Sequence, residues 1–112
     1  MARIPDHATD TLDELVAIER SLWKNNATTY HDVYSPRAVL IFPGVGRIDR
    51  DAAVAAIRRE NAEGHAWAEV HFADVDGPWL VTDVAVLLIY VASAGWNYET
   101  KTSSTLCSTV YV

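Results

Sequence analysis

The pattern of apolar positions near the start of the chain predicts an amphipathic helix. Over residues 11–23, apolar side chains recur at the spacing of one helix face, about 100° per residue. This face carries Leu12, Leu15, Val16, Leu22 and Trp23. Glu19 falls near the centre of the same face, so the pattern predicts a carboxylate that points into the protein. The Thr11-x-x-Glu14 spacing matches a capping box, and we expect the helix to run from there to about Asn25.

An inward-pointing Glu19 has two open interpretations. A buried charge is costly unless it is paired, neutralised or placed in a cavity that holds water or ligand. A hydrogen bond from a nearby Arg, Tyr or Trp would make Glu19 a structural brace. A position in a ligand cavity would make it a candidate catalytic acid or base.

The middle of the chain predicts two further helices around a short hairpin. We expect a short helix over residues 28–34, before a proline. A strand over 38–42 should turn at 43–46 and begin to return at Arg47 and Ile48. Asp49 can cap a third helix that runs from Arg50 to about Ala62.

After Gly64 the pattern becomes that of β-strands. Residues 67–75 alternate, and this alternation places Trp67, Glu69 and His71 on one side and Ala68, Val70 and Phe72 on the other. Residues 76–78 predict a turn, residues 79–93 a long strand with a break near Thr82 and Asp83, and residues 98–112 a last strand. Helices followed by antiparallel strands are typical of the α+β class.

Residues 84–93 are apolar on both strand faces. Val84, Val86, Leu88 and Tyr90 share one face, and Ala85, Leu87, Ile89 and Val91 share the other. An antiparallel sheet normally exposes one face to solvent. Both faces of this strand are apolar, so we expect both to be buried. The helices can cover one face and a second subunit the other, so the pattern predicts a homodimer formed through the sheet.

Several segments resemble the NTF2-like superfamily, in particular its SnoaL-like and DUF4440-type branch. The resemblance is carried by Glu19, Trp23, Tyr30, the run 38–53 (AVLIFPGVGRIDRDAA) and the closing run 106–112 (LCSTVYV). It implies a cone in which three N-terminal helices pack in the hollow of a curved antiparallel sheet, with a pocket at the open end and dimers through the convex face. Relatives usually continue into a further strand, so the resemblance leaves two alternatives open: either this sequence is a piece of a longer chain, or its sheet lacks the last strand.

The implied pocket assembles aromatic and polar candidates. Its expected lining is Trp23, Tyr30, Tyr34, Trp67 and Tyr90, with Glu19 and His71 as catalytic candidates. Aromatic walls with a few polar groups suit a small apolar or carbonyl-containing ligand. The same aromatic residues could instead be ordinary core. His71 and Glu69 share a strand side and could transfer protons, or they could form a polar contact on an exposed sheet surface.

Composition and charge limit the domain number, the partners and the cellular location that we expect for this chain. A chain of 112 residues predicts one domain, with residues 1–8 as a flexible tail. A net charge of −6 without a basic stripe disfavours nucleic acid. We expect no membrane span and no signal peptide, hence a cytoplasmic location, and the lone Cys107 excludes an internal disulfide. The His and Cys spacing predicts no metal site, and Gly44-Val45-Gly46 lacks the third glycine of a dinucleotide motif, so we expect no cofactor.

Three functions remain open at this stage. The first is a binding module that holds a small, mostly apolar ligand. The second is an isomerase, cyclase or hydrolase in which a desolvated Glu19 moves a proton and Tyr30 or His71 stabilises developing charge. The third is a dimeric interaction domain without a working pocket.

Overall fold

The architecture consists of three helices, a two-stranded ribbon and a three-stranded sheet, and the computed structural model describes residues 11–112. The elements are α1 (Thr11–Leu22), α2 (Ala27–Val33), β1 (Val39–Phe42), β2 (Gly46–Asp49), α3 (Arg50–Ala62), β3 (Trp67–Thr82), β4 (Ala85–Trp96) and β5 (Ser103–Tyr111). All strand pairs are antiparallel, and the larger sheet has the order β3-β4-β5. The α+β class is therefore confirmed, whereas the predicted tail at residues 1–8 lies outside the described residues.

The helix boundaries follow from local capping. The Asp49 side chain accepts a hydrogen bond of 2.7 Å from the Ala52 amide, and α3 spans the predicted residues. The Asn26 side chain accepts from the Thr28 and Thr29 amides and begins α2. Helix α1 ends at Leu22, earlier than predicted, and Asn25 beyond it has a left-handed φ of 55°.

Asn25 also ties the end of α1 to α3. Its side-chain amide donates to Glu60 Oε2 at 2.7 Å, and the side-chain amide of Asn61 donates to the Asn25 backbone carbonyl at 2.7 Å. Only 6% of Asn25 is exposed, so these bonds replace the water that its polar groups lose on burial. This junction holds α2 and α3 at a defined position relative to α1.

Strand β3 is longer than the sequence predicted. The predicted turn at residues 76–78 is wrong, because β3 continues through this segment while its register with β4 shifts on both sides of Asp76. Gly77 makes the shift possible: its φ is +125°, and a Cβ there would lie 2.8 Å from the Leu87 carbonyl oxygen. The hairpin turn lies instead at residues 83–84, where the sequence predicted a break in the strand.

Another register shift, near the start of β3, separates two residues that were expected to share a side. The pairing with β4 shifts between Trp67 and Glu69. The Trp67 ring consequently contacts Trp23, the residue that follows α1, whereas the His71 side chain is 76% exposed. The prediction that Trp67 and His71 lie on one side is therefore wrong, because a β-bulge reverses the alternation that the sequence pattern assumes.

The main core lies between α1 and the inner face of the larger sheet. Its buried members are Leu15, Leu88, Tyr90, Ala92 and Tyr111. Two smaller clusters form where α2, α3 and the ribbon meet, one around Val54 and Ile57 and the other around Leu40 and Ala53. Burial of these side chains supplies the main hydrophobic contribution to stability, at about 25 cal/mol per Å² of apolar area.

The outer face of the larger sheet is also apolar. Leu87, Ile89 and Val91 of β4 are half-buried there, and Leu106 of β5 is 73% exposed. Trp79 pairs with Leu87 in the ladder and is 55% exposed. The two-sided pattern of β4 thus becomes a core on one side and an apolar surface on the other. No helix within residues 11–112 is long and apolar enough to cross a membrane.

Candidate functional site

Glu19 is buried and accepts hydrogen bonds from hydroxyl groups. Its exposed fraction is 2%, which confirms that it points into the protein. Tyr90 donates to Oε1 at 2.6 Å, Thr109 donates to Oε1 at 2.8 Å, and Tyr111 donates to Oε2. An ionised carboxylate accepts hydrogen bonds only, and each of these partners is a hydroxyl donor. The arrangement corresponds to the brace interpretation, with both carboxylate oxygens engaged.

The strand registers explain why these donors converge on Glu19. Tyr90 lies on the inner face of β4, and Leu88, on the same face, pairs directly with Thr109 of β5. Because side chains alternate along a strand, Tyr111 shares the face of Thr109. Helix α1 packs over this face and places Glu19 opposite the hydroxyl groups.

Trp23 extends the network from Glu19 toward the surface. Its indole Nε1 donates to the Tyr90 hydroxyl at 3.0 Å, and the same hydroxyl donates to Glu19. The Tyr90 hydroxyl therefore acts as an acceptor and a donor at once. This connection limits the orientation of the Trp23 ring, because rotation of the ring would break the hydrogen bond between the indole N–H and the Tyr90 oxygen.

The phenols of the network are held in their protonated, donating form. Burial raises the pKa of Tyr90 and Tyr111 above the ordinary value of 10.0, and the charge of Glu19 raises it further. For Tyr90, the hydrogen bond from Trp23 acts in the opposite direction and lowers the pKa, but it does not cancel the rise. Both phenols consequently remain donors to Glu19 throughout the physiological range.

Tyr30 and Tyr34 of α2 form a separate aromatic pair. Their ring centroids lie 5.3 Å apart, and both rings pack on the cluster around Ala38 and Leu40. Burial raises the pKa of both phenols, and Glu19 adds to the rise for Tyr30. The pair thus faces the interior from the side of α2.

An open cleft lies beside Trp23 at one end of the inner sheet face. Its volume is about 180 Å³. The lining residues are Trp23, Trp67, Ala94, Gly95, Trp96, Glu99, Lys101, Ser103 and Thr105. The Trp67 and Trp96 rings stack with centroids 3.8 Å apart, and Trp23 lies 5.2 Å from Trp67 at an angle of 52°. Indole rings from β3, from β4 and from the residue that follows α1 therefore meet at one recess.

Gly95 lets the segment that follows β4 pack closely against this strand. A Cβ at Gly95 would lie 2.8 Å from the Lys101 carbonyl oxygen and 3.2 Å from the Thr102 side chain. Any larger residue would push the backbone of Lys101 outward. The absent side chain at Gly95 therefore allows the Lys101 backbone to approach β4 closely.

The structure brings only some of the predicted site residues together. Trp23 and Trp67 line the cleft, and Tyr90 and Glu19 lie behind Trp23 as its support. Neither Tyr30 nor Tyr34 is among the residues that line the cleft, so the expectation of one cavity shared with Trp23 is not met there.

His71 lies apart from Glu19 and from the cleft. Its Nε2 is 3.7 Å from Glu69 Oε2, and both side chains are about three-quarters exposed, at 76% and 75%. This arrangement matches the alternative interpretation, a polar contact on an exposed sheet surface. The structure does not place His71 where it could act together with Glu19.

Several residues that contribute to the network and the cleft are not among those predicted from the sequence. Thr109 and Tyr111 hold Glu19, and Trp96 and Lys101 line the cleft. The alternation of Thr105, Cys107, Thr109 and Tyr111 along β5 was the available signal for an inner face that carries hydroxyl groups. Cys107 is half-buried on this face, and burial raises the pKa of its thiol, as expected of a packed residue.

Within residues 11–112, no group of three or more His, Cys, Asp and Glu side chains is arranged to hold a metal ion. Comparison with protein-family models, curated proteins and solved structures finds no match for this chain. The chemistry of the cleft and of the network behind it is therefore the basis for a functional proposal.

Proposed function

We propose that this protein binds a small molecule in the cleft formed by Trp23, Trp67 and Trp96, and that its fold is an NTF2-like cone. The observation that carries the proposal is the convergence of three indole rings from different elements on one recess. Aromatic side chains combined with a few polar groups are typical of ligand sites. The succession of helices followed by a sheet with α1 on its inner face supports the NTF2-like assignment.

The size of the cleft restricts the ligand. Its volume of about 180 Å³ is below the roughly 300–1,000 Å³ that is common for drug-sized ligands. A single ring or a short chain fits this space, and a longer ligand would extend into solvent. The indole rings offer apolar contact to such a group, in agreement with the expected apolar or carbonyl-containing ligand.

The network behind the cleft supports binding by preorganisation. Trp23 is oriented through the Tyr90 hydroxyl, which is itself held by buried Glu19. A ring that is already fixed loses little conformational freedom when a ligand arrives. This arrangement assigns Glu19 a role in the binding site although it does not line the cleft.

Catalysis by Glu19 is less well supported than binding. A general base must lie within hydrogen-bond reach of the proton that it removes. Both Glu19 oxygens accept bonds from protein hydroxyl groups, and its exposed fraction is 2%. A substrate in the cleft would meet the Trp23 ring before it met the carboxylate.

The proposal is tested with a panel of small hydrophobic carbonyl compounds and lipophilic acids. A ligand that binds only the folded state raises the melting temperature, and binding next to Trp23 changes the tryptophan fluorescence. Trp96→Ala should abolish the stabilisation. Trp79→Ala is the matched control, because Trp79 lies on the outer face of the sheet. Absence of stabilisation by every compound, or equal loss in both variants, would contradict the proposal.

A second candidate function is a dimeric interaction domain. The outer sheet face supports it, since Leu106 is 73% exposed and Trp79 is 55% exposed beside half-buried Leu87, Ile89 and Val91. Exposed apolar patches of this kind mark interaction surfaces on soluble proteins. A second copy of the chain covers this face in the proposed homodimer.

A further inference from the structure

We infer that the open edge of β5 is a strand-pairing surface, and that its partner is β5 of a second copy of this chain. The antiparallel pairing joins the larger sheets of the two copies into one continuous sheet. The contact is made by backbone groups of β5, so it is separate from the tryptophan cleft and from the side chains of the outer sheet face. The two edges of the larger sheet differ in a way that supports this pairing.

One edge of β5 is unpaired among residues 11–112. In the sheet order β3-β4-β5, strand β5 has β4 as its one neighbour. Alternate residues of an antiparallel strand bond to the same neighbour. About half of the residues in Ser103–Tyr111 therefore direct their N–H and C=O groups away from β4. These groups form a row of donors and acceptors that another strand can pair with.

Strand β5 lacks the features that commonly protect an edge strand. Proteins block such edges with charged side chains, proline or bulges. Residues 102–112 contain no charged residue, no proline and no glycine. The pairing of β5 with β4 runs from Ser103 to Tyr111 without a register shift. The open edge is consequently long, regular and uncharged.

Strand β3, at the opposite edge of the same sheet, carries all three protective features. Its register with β4 shifts between Trp67 and Glu69, on both sides of Asp76, and again near its end. Pro78 has no N–H group to donate to a further strand. The strand also carries three carboxylates, at Glu69, Asp74 and Asp76. We therefore expect no added strand along β3.

The presence of one long open edge determines the partner. The ribbon strands β1 and β2 span four residues each. A second copy that supplies a long strand must therefore supply β5, as far as residues 11–112 are concerned. Two copies of β5 related by a two-fold axis perpendicular to the sheet run antiparallel, as all strand pairs in this protein do. This pairing uses the open edge of both copies, so it closes and does not extend into a filament.

The alternation of side chains along β5 is compatible with this pairing. Opposite residues of an antiparallel pair lie on the same face of the sheet. Leu106 and Val110, on the outer face, would thus lie beside outer residues of the second copy. Cys107 and Thr109, on the inner face, would lie beside inner residues. The apolar outer face and the hydroxyl-bearing inner face therefore continue from one copy to the other.

Amide hydrogen exchange along β5 tests the inference, because edge pairing protects amides that point away from β4. We propose to measure exchange by NMR from micromolar to millimolar protein concentration. In the unpaired chain, protected and unprotected amides should alternate over residues 103–111. In the paired form, the unprotected set should gain about tenfold or more in protection. A mixture of labelled and unlabelled chains should then show intermolecular contacts between the Hα atoms of β5.

A charged residue on β5 should weaken the pairing. Ser108→Lys places a charge near the middle of β5, on an exposed residue that lies close to its own copy across the two-fold axis. Like charges on paired strands repel, so we expect the concentration-dependent protection to weaken several-fold. His71→Lys is the matched control. His71 is 76% exposed on the outer face but lies on β3, so this variant should keep the protection of β5.

The outcomes separate edge pairing from the other contacts. Alternating exchange at every concentration, or equal weakening by the two variants, overturns the inference. Continuous protection without intermolecular contacts also overturns it, because the edge is then occupied within one chain. A dimer that keeps the alternating pattern forms through the outer face and leaves the edge unused. None of these measurements requires a ligand, so failure of the proposed function leaves the inference standing.

Discussion

The Tyr90 hydroxyl donates a hydrogen bond of 2.6 Å to Glu19 Oε1 and thereby joins the middle of β4 to the last turn of α1. The same hydroxyl accepts the Trp23 indole N–H at 3.0 Å. A buried carboxylate, a phenol and an indole thus form one chain that ends at the wall of the cleft. The stability of the fold and the shape of the cleft therefore depend on the same interactions.

Replacing the buried carboxylate should destabilise the fold. Glu19→Gln places an amide NH₂ where hydroxyl groups donate, so at least one donor loses its acceptor. We expect the free energy of unfolding to fall by about 1–3 kcal/mol, measured by urea denaturation. Glu69→Gln is the control, because that carboxylate is 75% exposed. A loss no larger than that of the control would contradict the brace assignment.

Removing the central hydroxyl should uncouple Trp23 from Glu19. In Tyr90→Phe, the indole N–H loses its acceptor and Glu19 loses one donor. We expect a loss of stability of about 1–3 kcal/mol, a changed near-UV circular dichroism signal and weaker ligand binding. Tyr98→Phe, at a residue that is 55% exposed, should change the stability little. Unchanged ligand affinity in Tyr90→Phe would argue against preorganisation of Trp23.

Alkaline pH should destabilise the protein through its buried phenols. The pKa of Tyr90 and of Tyr111 is raised above 10.0 in the folded state, so the folded chain keeps protons that the unfolded chain releases. Their contribution to stability is therefore complete below about pH 10 and is lost as the pH rises above it. Urea denaturation between about pH 8 and pH 11 measures the decline. Tyr111→Phe should reduce its slope, and an identical slope would contradict the assignment.

The outer sheet face should mediate homodimer formation. Sedimentation equilibrium at micromolar concentration should give about twice the monomer mass for the wild-type chain. Leu106→Lys introduces a charge on the apolar face, opposite Val91 of β4, and should produce monomers. Ile41→Lys is the control, since Ile41 is 75% exposed on the β1–β2 ribbon, away from this face. A wild-type monomer, or equal dissociation in both variants, would rule out this interface.

A methyl group at Gly95 should displace a segment that lines the cleft. Gly95→Ala places a Cβ 2.8 Å from the Lys101 carbonyl oxygen, so the backbone of Lys101, a lining residue, must shift. We expect weaker binding of any cleft ligand, measured by calorimetry. Ser108→Ala on the outer, exposed part of β5 is the control and should leave binding unchanged. Retained affinity in Gly95→Ala would show that the loop does not contribute to the site.

Local features of the chain were predictable where the residues of one short segment determine the structure of that segment. The inward direction of Glu19 followed from the periodicity of α1, because neighbouring turns of a helix define its faces without help from the rest of the fold. The bounds of α3 and its Asp49 cap followed from groups only a few residues apart. The two-sided character of β4 was visible in the same way, from alternation within one strand.

Strand register required the tertiary structure. Residues 76–78 have the composition of a turn, yet pairing with β4 extends β3 through them. The positive φ of Gly77 accommodates the shift in register between the two strands. The bulge after Trp67 reversed the expected side of that residue relative to His71. A one-residue shift moves every later side chain to the opposite face, so alternation in one strand cannot determine the side without its partner.

The sequence by itself determined that this protein is α+β, that Glu19 faces inward and that β4 is apolar on both sides. Only the tertiary structure decided that Tyr90, Thr109 and Tyr111 hold Glu19, and that Trp96 and Lys101 join Trp23 at the cleft. Helix periodicity depends on backbone geometry within one segment, whereas these contacts join residues far apart in the chain. Their formation depends on strand register, bulges and helix packing, which exist only once the chain has folded.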